Sequence, residues 1–66
     1  MKLKTELIRQ LAKEKGLSYR KMAAEAGIGL TTISQTFRGA SCSTATAERI
    51  AAILEQPLEL IAAERI

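Results

Sequence analysis

Residues 19–38 read YRKMAAEAGIGLTTISQTFR, and the fold turns on this stretch. Met22, Ala23 and Ala26 are the apolar positions of one short helical pattern. Ile33 and Phe37, four apart, mark the buried stripe of a second. Between them lies Gly27-Ile28-Gly29. So short a turn between helices calls for a positive φ, which glycine adopts without strain, and Gly27 stands where it is needed. Ala23 leaves room for a second helix to cross at a steep angle. The spacing predicts two short helices, 19–26 and 30–38, joined by a tight glycine turn.

The same periodicity extends outward. Leu3, Leu7, Ile8, Leu11 and Ala12 fall on one face of a helix over Leu3–Lys15, which Gly16 ends. Leu17 tucks in behind it, and Ser18 is a good N-cap for the helix that follows. Gly39 closes the 30–38 helix, and Ala40–Ser43 reads as a loop. Ser43 caps a fourth helix with Ile50, Ala51, Ile53 and Leu54 on its buried side. Pro57 cannot continue that helix and is placed at the first position of a fifth, with Leu58, Ile61 and Ala62 inward. The expectation is an all-α, compact five-helix domain spanning 1–66 as a single unit. Its predicted core is Leu7, Ile8, Leu11, Leu17, Met22, Ala23, Ile33, Phe37, Ile50, Leu54 and Ile61.

Composition bounds the function. The chain is 66 residues long and 47% hydrophobic, enough for a core but not for a deep pocket. There is no His, and Cys42 is the single cysteine, so a disulfide, a zinc site and a nucleophile–base pair all lack partners. No enzyme activity, cofactor or metal is expected. Gly27-Ile28-Gly29 is not a phosphate-cradling loop, because no strand precedes it and no P-loop lysine follows. No apolar run approaches the ~20 residues that span a bilayer, and MKLKTELIRQ does not read as a signal peptide, so a cytoplasmic protein without membrane contact is expected.

Charge is unevenly distributed. Residues 1–39 carry eight basic and three acidic side chains, a balance of +5, whereas residues 40–66 carry two and four, a balance of −2. The basic half holds the 19–38 unit, which gives it an anion-facing end. Two helices crossing at a glycine turn in a basic half have the layout of a DNA-binding helix-turn-helix, whose second helix lies in the major groove.

The segment KEKGLSYRKMAAEAGIGLTTISQTFRG resembles the helix-turn-helix of the lambda-repressor and Cro superfamily, also called the xenobiotic-response-element family. The Gly-Leu-Ser entry, Ala23, Gly27, Ile33 and Gly39 are in register, and STATAERIAAIL, from Ser43, followed by PLELI looks like that family's fourth and fifth helices. The resemblance runs from Lys4 to Ile61. It implies a lambda-repressor-like five-helix fold and a dimeric repressor or activator, with a Cro-like repressor the favoured expectation, binding a palindromic double-stranded DNA operator.

The second helix of the pair has a polar stripe, Thr31, Ser34, Gln35 and Arg38, opposite Ile33 and Phe37. Gln35 suits a bidentate pair with adenine, and Arg38 a guanine or a phosphate. Leu30 stands where family members often carry a base-contacting side chain; the pattern leaves it open between a thymine-methyl contact and a core position. Ser18, Tyr19, Arg20 and Lys21 at the start of the preceding helix are candidate phosphate ligands. For Tyr19 a half-buried ring covering the first helix is the alternative. Ser41 and Ser43 are further phosphate candidates in a loop that is often basic in the family but carries no charge here from Ala40 to Thr44. Lys2 and Lys4 suggest a short basic arm.

Two more departures from the family stand out. Phe37 occupies a position often held by an acid paired with a base on the first helix, so an apolar contact near Ala12 is expected instead. Thr36 replaces a larger apolar residue. Leu58, Leu60, Ile61 and Ile66 are more apolar side chains than one face can bury, and the segment Pro57–Ile66 is the expected interface of a weak homodimer. Cys42 is expected to be exposed and inert. A protein-interaction module of the same fold, such as an antitoxin or adaptor, is the competing function; it would depend on apolar surface rather than on the polar stripe.

Overall fold

The computed structural model describes residues 1–63. Among them are five helices: α1 (Thr5–Glu14), α2 (Tyr19–Ala26), α3 (Leu30–Thr36), α4 (Thr44–Leu54) and α5 (Leu58–Ile61). The Ser18 hydroxyl accepts the Lys21 N–H at 3.1 Å, and the Ser43 hydroxyl accepts the Thr46 N–H at 3.1 Å, so both predicted caps satisfy an otherwise orphaned donor.

Four segments terminate through a residue of positive φ, namely Gly16, Gly27, Gly39 and Glu55. After α1, the Leu17 N–H reaches the Ala12 carbonyl at 2.9 Å and the Gly16 N–H the Lys13 carbonyl at 3.1 Å, the paired bonds of a Schellman end. The same pairing closes α3, with Ala40 N–H on the Gln35 carbonyl and Gly39 N–H on the Thr36 carbonyl. Glu55 is the odd member, held at φ 56° despite its Cβ. Its carboxylate meets Lys15 Nζ at 2.8 Å, which ties the end of α4 to the end of α1.

The core comprises Leu3, Ile8, Ala12, Met22, Ile33, Phe37, Ala47, Ile50, Ala51, Leu54 and Ile61. Each large side chain here contributes about 1.5–3 kcal/mol relative to exposure. Leu7, Leu11, Leu17 and Ala23, expected in the core, are half-buried at its margin. Helix α4 is the centre of the packing and touches α1, α2 and α5. Two of its alanines, Ala47 and Ala51, are buried with Ile50 and Leu54. Thr36 is buried too, so the smaller residue at that position is accommodated rather than exposed.

Three boundaries differ from expectation. Leu3 is not in the first helix: it lies in an extended segment bridged antiparallel to Ala62, with the Lys4 N–H on the Ile61 carbonyl at 2.7 Å. Helix α3 ends at Thr36, and Arg38 falls in the turn that follows, because Gly39 reverses the chain there. Pro57 is the N-cap of α5 rather than its first residue, with an extended ψ of 143°.

Candidate nucleic-acid interface

Gly27 makes the turn between α2 and α3. Its φ of 68° and ψ of 32° are left-handed, and its N–H closes on the Ala23 carbonyl. Ile28 donates to that same carbonyl at 3.1 Å. Gly29 then serves as N-cap of α3 at an ordinary φ of −61°. The single αL residue is therefore what allows α3 to leave α2 at once.

Helix α3 is anchored from one side. Ile33 and Phe37 are fully buried. Thr31, Gln35 and Arg38 are exposed, and Ser34 is half-buried, so three members of the predicted stripe face outward together. Leu30 is 43% exposed, which excludes the core position and puts an apolar side chain at the solvent-facing start of α3. At the start of α2, Ser18, Arg20 and Lys21 are exposed. Tyr19 is half-buried, its ring centroid 5.3 Å from that of Phe37. The ring thus packs on Phe37 at the end of α3. Ser41 and Ser43 are exposed in the loop, but the Ser43 hydroxyl donates to Thr46 Oγ1 at 3.0 Å, which commits its proton within the cap.

Two arginines outside the pair hold it in place. Arg9 Nε on α1 donates to the Phe37 carbonyl at 2.9 Å. The base on the first helix is present, but with no acid at position 37 it takes a backbone acceptor at the end of α3, where the helix dipole favours a cation. Arg49 Nη1 on α4 donates to the Ala26 carbonyl at 3.1 Å and secures the end of α2 in the same way. Residue spacing did not reveal these latches, because their acceptors are main-chain carbonyls that every residue type carries.

Two expectations are corrected. Ile61 cannot present itself to a partner as an interface residue, because it is fully buried in its own domain. Leu58 is half-buried, Leu60 is 44% exposed, and Ile66 lies outside the described residues. Cys42 is half-buried, not exposed. Burial pushes its thiol up; the nearby amino terminus and the Thr36 hydroxyl pull the other way without cancelling it.

A family model described as "Helix-turn-helix" matches residues 8–61, spanning α2 and α3 together with the helices that hold them. The chain belongs to the lambda-repressor/Cro-like helix-turn-helix family. It is accordingly a DNA-binding regulator in the general sense. No curated protein and no solved structure matches the chain. Among the described residues, no helix is long and apolar enough to cross a membrane, and no group of His, Cys, Asp or Glu side chains is placed to hold a metal ion.

Proposed function

We propose that the protein is a Cro-like transcriptional repressor that reads a double-stranded operator with α3 in the major groove. The observation that carries this reading is the exposure of Thr31 and Gln35 on α3, with Arg38 exposed in the turn after it, while Ile33 and Phe37 are fixed in the core. A rigid helix presenting polar side chains on one face is what base reading requires. Gln35 pairs with adenine, Thr31 and Ser34 supply short hydroxyl contacts, and Leu30 meets a thymine methyl. Arg38, in the turn beyond the helix, takes a guanine or the neighbouring phosphate. Ser18, Tyr19, Arg20 and Lys21 set the register by holding phosphates at the start of α2, and Ser41 does so after α3. The protein works in the cytoplasm, where its operator is accessible.

One domain covers too little operator for useful specificity. The active species is therefore a weak homodimer on a palindromic site, its half-sites about 34 Å apart. Leu60 and the partly covered Leu58 supply the apolar contact. Binding to a fluorescent duplex over a salt series tests the reading. DNA recognition predicts log K falling linearly with log[salt]. Saturable binding to a protein partner, with no salt-dependent affinity for duplex DNA, would support an adaptor or antitoxin module instead.

A further inference from the structure

The residues before α1 do not form a free arm. Cys42 N–H donates to the Met1 carbonyl and the Met1 amino group to the Cys42 carbonyl, both at 2.8 Å. Thr5 Oγ1 lies 3.8 Å from where a Cβ on Gly39 would sit. Arg9 Nε reaches the Phe37 carbonyl. Residues 1–9 therefore pass residues 37–42 in the antiparallel sense, bonded to them at Met1 and Arg9 and close to them at Thr5. On the other edge, the Lys4 N–H bonds the Ile61 carbonyl at 2.7 Å and the Ala63 N–H the Lys2 carbonyl at 2.9 Å.

This clamping fixes where the charges point. Leu3 is 4% exposed and turned into the core. Side chains alternate along an extended segment, so the exposed Lys2 and Lys4 both face away from it. Their segment adjoins the loop 40–44 at the Met1–Cys42 pair, and that loop has no charged residue of its own. Lys2, Lys4, Arg9 and Arg38 are all exposed, as are the acids Glu6 on α1 and Glu59 on α5.

We infer that Lys2 and Lys4 are the phosphate-binding cations of the loop after α3, supplied from the N-terminal segment because the loop lacks them. This rests on α3 being the DNA-reading element, and it adds a second set of phosphate contacts to those of Ser18–Lys21. The partner is the sugar-phosphate backbone of the same duplex. Because the segment is already hydrogen-bonded on both edges, little chain entropy is lost when a phosphate docks, unlike a free arm that must order on binding.

The experiment compares wild type, the Lys2→Ala/Lys4→Ala double variant and Lys13→Ala on one duplex over a salt series, with thermal melts to verify folding. Removing one cation that neutralises a phosphate should make the salt slope shallower by about 0.9. The double variant should have a slope shallower by about 1.8, so that a fourfold rise in salt costs it roughly tenfold less affinity than it costs wild type. Lys13→Ala, the same charge change near the other end of α1, should keep the wild-type slope. A second readout needs no mutation: mild amine acylation followed by mass spectrometry should show Lys2 and Lys4 protected by duplex and Lys13 unprotected. A folded double variant with the wild-type slope, or Lys2 and Lys4 acylated equally fast with and without DNA, would overturn the assignment while leaving α3 as the reader. Failure of wild type to bind duplex at any salt would overturn both.

Discussion

Removing the Phe37 ring should nearly exhaust the stability of the domain. The side chain is fully buried at the end of α3, its ring 5.3 Å from that of Tyr19 and its carbonyl held by Arg9. Phe37→Ala opens a cavity in a well-packed core, at a cost of about 3–5 kcal/mol. A chain of 66 residues has a total stability of roughly 3–10 kcal/mol at ordinary per-residue values. The variant should therefore melt about 12–40 °C lower, or be unfolded at room temperature. Part of the loss belongs to the ring pair, whose tilt of 51° suits aromatic contact. A double-mutant cycle of Tyr19→Leu and Phe37→Leu should return a coupling of about 0.5–1.5 kcal/mol. Urea unfolding followed by circular dichroism measures both quantities. A Phe37→Ala protein that loses less than about 1 kcal/mol would place the ring outside the core. Helix α3 would then be rotated, and the outward face assigned to Thr31 and Gln35 would be wrong.

Three further outcomes follow from particular contacts. Gly27→Ala should cost about 1 kcal/mol through its left-handed φ, since Arg49 Nη1, 3.4 Å from the new Cβ, is an ordinary contact at the end of a flexible side chain; denaturant unfolding gives the value. Cys42 should react with a disulfide reagent at pH 8 more slowly in the folded protein than after unfolding in urea, because burial raises its thiol and covers it; equal rates would refute the shielding. Lys15 holds the Glu55 carboxyl below its ordinary value, so the pair adds stability above the unfolded carboxyl pKa of about 4.3 and loses it as pH falls through the lower folded value. The melting difference between wild type and Glu55→Gln should accordingly be small near neutrality, as for any exposed pair, and shift in favour of the variant in acid.

Much of this architecture is written locally. Ser18 and Ser43 announce helix starts, Gly16, Gly27 and Gly39 announce ends, and the spacing of Ile33 and Phe37 fixes the inward side of α3. These signals act within a few residues and do not depend on tertiary context. The pattern fails where a distant partner decides. Leu3 lies one helical turn before Leu7 and looks helical, yet main-chain bonding to the 61–63 segment holds it extended. Glu55 does a glycine's work at the end of α4, and no residue rule would place it there. Ile61 fits both a core and an interface stripe; packing beneath α4 chose the core. Cys42 sits between two serines and reads as exposed, but pairing with Met1 draws it partly inward. For the candidate interface, the polar stripe was visible in the spacing. The latches of Arg9 and Arg49 were not, because a guanidinium on a main-chain carbonyl leaves no complementary residue to find.

The central claim is that the exposed face of α3 reads bases in duplex DNA. Selecting bound fragments from a random duplex pool, in parallel with wild type and Gln35→Ala, tests it most directly. Wild type should enrich two symmetric half-sites about one helical turn apart. Gln35→Ala should enrich the same site with one position per half-site relaxed, and bind the wild-type site about 1–3 kcal/mol more weakly. A wild-type pool that stays random, or a Gln35→Ala pool identical to it at every position with unchanged affinity, would contradict the claim.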